Sequence, residues 1–521
     1  MARAETPGTR APIGRARIPP PKISRRLPSG RGATEQPNAA GDGDAALTPV
    51  FWAMVVLTGA AAGLFGDMLM ALLLGVQHLA FGYQAGSLEA AVGHASAARR
   101  LTVLVSGGAF GGVAWYLLHR CTAGERSEID DVVWADDARL SFRRSLGTSL
   151  ISEVVVGMGA SIGREAAPKL MGGAWASVLA GWARLSPAQR RLLMACGAGA
   201  GLAAVYNVPL GGALFTAEIM LGSISLPVVL PALACSGIAT ATAWLYLPDH
   251  PTYLGVPDYR SSAPLVAWAL AAGPLIGLAA AGYIRLIGWV SHHRVTGRPV
   301  LIAPAAALGV LGLVGLAYPQ LFGNGQDMAR DAFTGSAGPL LLLALAALKP
   351  LVTAMCLGSG VSGGLFTPTL STGAVLGGAA GLAWSLAWPG SPPGAYALVG
   401  AAAMLGAAMQ APLTGLALVL ELIHSGFQLL VPMAAATVTA TLVARHVDGY
   451  SIYTARLRAH PSPPEAPTPP GPGTGRERAR WVTAFRERGW RPRATERGRP
   501  SFGKKAASPY RRRHVKEGGL T

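Results

Sequence analysis

Two short segments of this chain hold residue types from which an anion gate can be built. Gly163-Arg-Glu-Ala-Ala-Pro168 sets a base beside an acid inside an apolar region. An ionised side chain at membrane depth is costly, so such groups face a pathway or a partner. Arg164 and Glu165 could simply neutralise each other, but sequence neighbours do not face one another along a helix. A helix beginning just after Gly163 would put Glu165 at its N-terminus, where free N–H groups and the positive dipole end attract anions. A carboxylate there takes an anion's place and leaves when it is protonated or displaced. The second segment, Gly363-Gly-Leu-Phe-Thr-Pro368, offers the same device without an acid. Its glycines allow a tight turn, so the amides of Leu365 and Phe366 can point at one spot, and Pro368 suits an early helical position. Such donors bind a dehydrated halide without the grip of a full charge, which conduction requires.

The elements around these segments are those of a polytopic membrane protein. Only 13% of the 521 residues are charged and 51% are hydrophobic, against about 25% charged in a soluble domain. Apolar stretches recur from about 51–82 to 427–445, several of them shorter than the roughly 20 residues that a simple span needs. Glycine clusters such as Gly157-Met-Gly-Ala-Ser-Ile-Gly163 and Gly358-Ser-Gly-Val-Ser-Gly-Gly364 interrupt them. They fit helices that stop inside the membrane, or helices packed through small residues. The net charge of +18 resides largely in residues 1–47 and 459–521. Their repeated prolines predict disordered tails. Basic flanks beside an apolar core place both termini in the cytoplasm, with the chain in the cell (inner or plasma) membrane. The tails have few aromatics and no recognisable binding module, so anionic lipid rather than nucleic acid is their expected neighbour.

An internal repeat decides between the two readings of the glycines. Gly197-Ala-Gly-Ala-Gly-Leu-Ala-Ala-Val-Tyr-Asn-Val-Pro-Leu210 aligns with Gly400-Ala-Ala-Ala-Met-Leu-Gly-Ala-Ala-Met-Gln-Ala-Pro-Leu413, and the same offset of 203 pairs Gly212 with Gly415 and Glu218 with Glu421. The two motif segments align at an offset near 200 with a one-residue gap. Two halves, about 48–247 and 264–458, therefore form the membrane domain of residues 48–458, and interrupted segments at matching places point to a site at their interface. Cys121, Cys196, Cys235 and Cys356 have no metal-binding spacing and read as small hydrophobes. The ten histidines are scattered, so neither a metal site nor an enzyme is expected.

With these motifs in view, the chain resembles the CLC family of chloride channels and proton-coupled chloride transporters over residues 50–458. The family's G(K/R)EGP motif corresponds to Gly163-Arg164-Glu165, its GxFxP motif to Gly364-Leu365-Phe366-Thr367-Pro368, and its late tyrosine to Tyr453. The resemblance implies an all-α fold of tilted and broken helices in two inverted-topology repeats, a homodimer with one pore per subunit, and chloride or another small anion as transported ion, with no cofactor. It further implies that Glu165 gates and that Tyr453 donates its hydroxyl to the central anion. Leu365 and Phe366 donate amides, with Gly163, Arg164 and Gly364 completing the anion-binding set.

Three departures qualify the resemblance. The first family motif, GxGIP, should fall near Ala123-Gly-Glu-Arg-Ser-Glu-Ile129, where neither its serine position nor its Ile-Pro is kept, so a hydroxyl donor is expected to be missing. Ala166 and Ala167 replace Gly-Pro. The acid that passes protons in coupled members is replaced by Ile219, which cannot carry a proton. That loss favours a passive channel over a proton-coupled chloride antiporter; a non-conducting scaffold is the remoter alternative. If protons move, Glu165, Glu218 and Glu421 are candidates for their route. The matched Glu218 and Glu421 also read as structural acids bonding neighbouring helices, and that reading is favoured for both. Beyond Leu457 the chain is too short and too rich in Pro and Arg for paired CBS domains.

Overall fold

A computed structural model describes residues 47–123, 125 and 139–457. Ser127 and most of the degenerate first motif lie outside the described residues, as do the two tails. Sixteen α-helices make up the described part. The first half holds α1 (Pro49–Phe81), α2 (Leu88–His94), α3 (Ala97–Cys121), α4 (Phe142–Gly157), α5 (Ala166–Trp182), α6 (Pro187–Tyr206), α7 (Pro209–Leu214), a π-helical turn (Phe215–Met220) and α8 (Leu226–Ala243). The second half holds α9 (Ala263–His292), α10 (Ala303–Ala317), α11 (Gln326–Thr334), α12 (Pro339–Gly358), α13 (Phe366–Ser385), α14 (Pro393–Met409), α15 (Pro412–Ile423) and α16 (Leu430–Val447).

Among the described residues six helices are long and apolar enough to cross a membrane: α1, α3, α8, α9, α12, and α16 with the turn before it. They leave Val56, Leu117, Leu275, Leu343 and Leu442 exposed, as helices facing lipid must. At the centre lie α6 and α14, buried at every residue from Leu192 to Tyr206 and from Gly394 to Met409. Small residues all round let them sit inside. A Cβ on Gly197 would overlap the carbonyl of Gly172 in α5. One on Gly400 would lie 2.6 Å from the carbonyl oxygen of Gly373 in α13. The two halves thus repeat the same crossing of backbone on backbone.

The repeat extends to backbone angles. α6 ends on Asn207 with φ 56°, and α14 on Gln410, also with φ 56°. Each caps its helix in the left-handed conformation, and a proline two residues on, Pro209 or Pro412, opens the next helix. Likewise Gly159 (φ 101°) and Gly360 (φ 108°) turn the chain after α4 and α12, a conformation that glycine adopts without strain. Both turns lead the chain back inward, toward the starts of α5 and α13.

Candidate functional site

The two motif loops meet. The Gly163 N–H donates to the Gly364 carbonyl at 2.8 Å and the Gly364 N–H donates to the Gly163 carbonyl at 2.7 Å, a two-residue antiparallel bridge between the halves. The bridge sets the N-terminus of α5 beside that of α13. Glu165 is the N-cap residue of α5 and Leu365 that of α13, so free helix-end amides gather at one point.

The Glu165 carboxylate occupies that point. Its Oε1 accepts the Phe366 N–H at 2.7 Å, and its Oε2 accepts from the Tyr206 hydroxyl at 3.3 Å and the Thr367 hydroxyl at 3.4 Å. Tyr206 and Thr367 are themselves joined, oxygen to oxygen, at 2.6 Å. A Cβ on Gly163 or Gly364 would overlap the carboxylate; both motif glycines are thus required by close approach rather than by a special φ. Glu165 is 1% exposed. The carboxylate holds the place where backbone donors from both halves converge.

Arg164 does not pair with Glu165 through these bonds. Its guanidinium lies over the Tyr206 ring, 5.0 Å from the centroid, and that ring meets Phe366 edge to face. Deeper along α5, the Lys169 ammonium stands over two rings, 4.8 Å from the centre of Phe215 and 4.7 Å from that of Tyr453. Lys169 is 6% exposed and shares a face of α5 with Glu165, four residues before it. Tyr453 is buried, and the Ile452 N–H donates to the Ala408 carbonyl at the end of α14 at 2.7 Å. A cation, a phenol and the Glu165 cradle therefore lie along one helix.

Glu218 and Glu421 form a reciprocal pair of caps. Glu218, in the π-helical turn, accepts from the Leu413 and Thr414 amides and the Thr414 hydroxyl at 3.3, 2.7 and 2.6 Å, at the start of α15. Glu421, in α15, accepts from the Leu210 and Gly211 amides at 2.9 and 2.5 Å, at the start of α7. Each carboxylate satisfies helix-end donors of the opposite half. Among the described residues no group of three or more His, Cys, Asp or Glu could hold a metal ion.

A model of the voltage-gated chloride channel family matches residues 107–445, which include both bridged loops and the reciprocal caps. The chain belongs to that family. Among curated CLC proteins, the H(+)/Cl(-) exchange transporter ClcA of Yersinia pestis is 32% identical over 345 residues, covering 64% of this chain and 70% of the relative. The ClcA exchange transporter of Vibrio campbellii is 29% identical, with 68% and 79% covered. The crystal structure of a slow cyanobacterial Cl-/H+ antiporter matches with a TM-score of 0.69 over 78% of this chain and 97% of that one, at 23% identity. A CLC-type fluoride/proton antiporter matches with a TM-score of 0.63 and 21% identity over the same shares. The fold is that of the CLC proteins, in a multi-pass membrane chain.

The structure brings together Gly163, Glu165, Gly364, Phe366 and, along α5, the neighbourhood of Tyr453. Sequence reasoning passed over Tyr206, Thr367 and Lys169. Tyr206 sits in the repeat opposite Met409, and a polar residue at one of two matched buried places is a usable signal. Lys169 is a basic residue within an apolar run, the signal that drew attention to Arg164.

Proposed function

We propose that this protein exchanges chloride for protons across the cell membrane, as a homodimer with both tails in the cytoplasm. The observation that carries the reading is the Glu165 carboxylate seated on the Phe366 amide, in a cradle built by both halves. A group there competes directly with an anion for the same donors. While ionised it closes the path; once protonated it is a poorer acceptor, gives up the amide, and an anion takes its place. The proton that opens the gate is then the proton that is carried, so one carboxyl links the two fluxes. The anion, once inside, is held by the Leu365 and Phe366 amides and the Tyr453 hydroxyl, with Lys169 supplying positive charge beside the tyrosine.

Ile219 favoured a passive channel in the sequence. The relatives named above as exchange transporters, and the antiporters that share the fold, favour the exchanger instead. Glu218, with both carboxylate oxygens on the α15 terminus, is here a structural cap rather than a proton carrier. The test is simultaneous recording of chloride and pH in proteoliposomes under a chloride gradient. Uphill proton movement is expected, and it should vanish in Glu165→Gln, whose amide carries no exchangeable acid proton. Robust chloride flux without protons in the wild type would establish the passive channel.

A further inference from the structure

An exchanger gated at Glu165 needs a second group to supply or remove the proton, and α4 carries one. Glu153, in the last turn and a half of α4, is 0% exposed. Neither of its carboxylate oxygens has a hydrogen-bond partner. Among the described residues Asp67 has one such buried carboxylate oxygen, and no acid besides Glu153 has two. The helix lies directly against the site. The Ser149 hydroxyl donates to the Ala167 carbonyl in the first turn of α5 at 3.2 Å, and the Ser152 hydroxyl donates at 2.7 Å to the carbonyl of Ser362, two residues before Gly364. Ser149 and Glu153 are four residues apart and share a face of α4, so the acid is directed toward the wall that holds the gate. It lies within electrostatic reach of both Arg164 and Glu165.

An ionised carboxylate with no donor is among the most expensive groups to bury, and the neutral acid costs far less. Glu153 is thus a place where a proton can rest beside a second carboxyl that releases one. Toward the Ser141 end of α4 the hydroxyls of Thr148 and Ser145 are also buried without partners, so polar groups continue along the helix toward its N-terminal end.

We propose that Glu153 is the second proton-carrying residue of the exchange, taking the place of the acid absent at Ile219. The sequence is two proton transfers. The Glu153 carboxylic acid gives its proton to the Glu165 carboxylate, and Glu165 becomes the neutral acid and leaves the Phe366 amide. The Glu153 carboxylate then takes a proton from a hydronium ion arriving along α4, which is left as water. No covalent bond other than these O–H bonds changes.

The inference rests on the exchange reading, and paired variants separate the two. Glu153→Gln and Glu153→Leu, in the full chain reconstituted into liposomes, should lower the ratio of proton to chloride movement about a hundredfold, the remaining chloride passing where the anion itself displaces the Glu165 carboxylate. Glu153→Asp should restore coupled transport in part. Because an apolar residue of similar volume relieves an unpaired buried acid, Glu153→Leu should unfold at or above the wild-type temperature, so loss of coupling is not loss of the fold. A coupled wild type whose Gln and Leu variants stay coupled overturns the assignment alone. So does a parallel loss of chloride flux, proton flux and thermal stability, which marks a structural acid. A wild type that passes chloride without protons overturns the exchange reading and this assignment with it.

Discussion

Replacing Lys169 by Met tests whether the central site binds anions with help from a fixed charge. The ammonium lies 4.7 Å from the Tyr453 ring centre and 4.8 Å from that of Phe215. For an anion at the Tyr453 hydroxyl, about 6 Å from the ammonium, an effective dielectric constant of about 20 gives roughly 2.8 kcal/mol of attraction. Loss of that attraction weakens anion binding about a hundredfold. The chain should still fold, because Met keeps the stem's packing against the two rings and removes the cost of burying an ammonium. Calorimetric titration of chloride into the purified protein gives the affinity directly, and Lys169→Arg, which keeps the charge, should stay near wild type. If Lys169→Met binds chloride within threefold of wild type while remaining folded, Lys169 is a packing residue and the electrostatic argument fails.

Other consequences can be measured without flux. Gly197→Leu forces a side chain into the carbonyl of Gly172 and should lower the unfolding temperature by an overpacking cost of about 1–3 kcal/mol, while Ala at exposed Gly75 should have no comparable effect. Glu421→Gln weakens the acceptor at the α7 terminus and should destabilise the fold by about 1–2 kcal/mol without changing which anion is preferred, read by thermal melts and by competition between chloride and bromide. Outside the spans, Glu89 on α2 faces Asp331 and Asp327 on α11; burial, then the bond to Asp331, push its carboxyl up to about 8. A folded-state value above the usual 4.5 means that the fold holds the proton more tightly than the unfolded chain does. Its contribution is complete below about pH 4.5 and lost as pH rises through about 8. Glu89→Gln should therefore flatten the decline in unfolding temperature between pH 5 and 8, and an unchanged decline would assign it to another group.

How much of this was legible in the sequence depended on whether the signal was local. The Glu165 position at a helix N-terminus followed from the glycine, the acid and the apolar run, and the repeat offset placed the second loop opposite the first. The α4 acid went unnoticed because it lies inside a stretch whose apolar character marked it as a span, and nothing in Ser152-Glu153-Val154 reveals that its oxygens find no donor. The matched positions of Glu218 and Glu421 were visible, but their partners lie in the opposite half of the chain, and pairing of that range is set by tertiary packing. Tyr206 was hidden for the same reason: its hydroxyl reaches Thr367, 161 residues away.

The crossed carboxylates also constrain how such a protein can be assembled. With Glu421 absent, the amides of Leu210 and Gly211 lose their acceptor; with Glu218 absent, those of Leu413 and Thr414 lose theirs. A half made alone would leave those helix-end amides without their acceptors. Each half is thus the other's folding template, and an ancestral single copy could have been stable only as a pair of identical chains. Two separately expressed fragments divided between α8 and α9 should accordingly find each other in the bilayer and reconstitute transport, whereas either fragment by itself should be degraded.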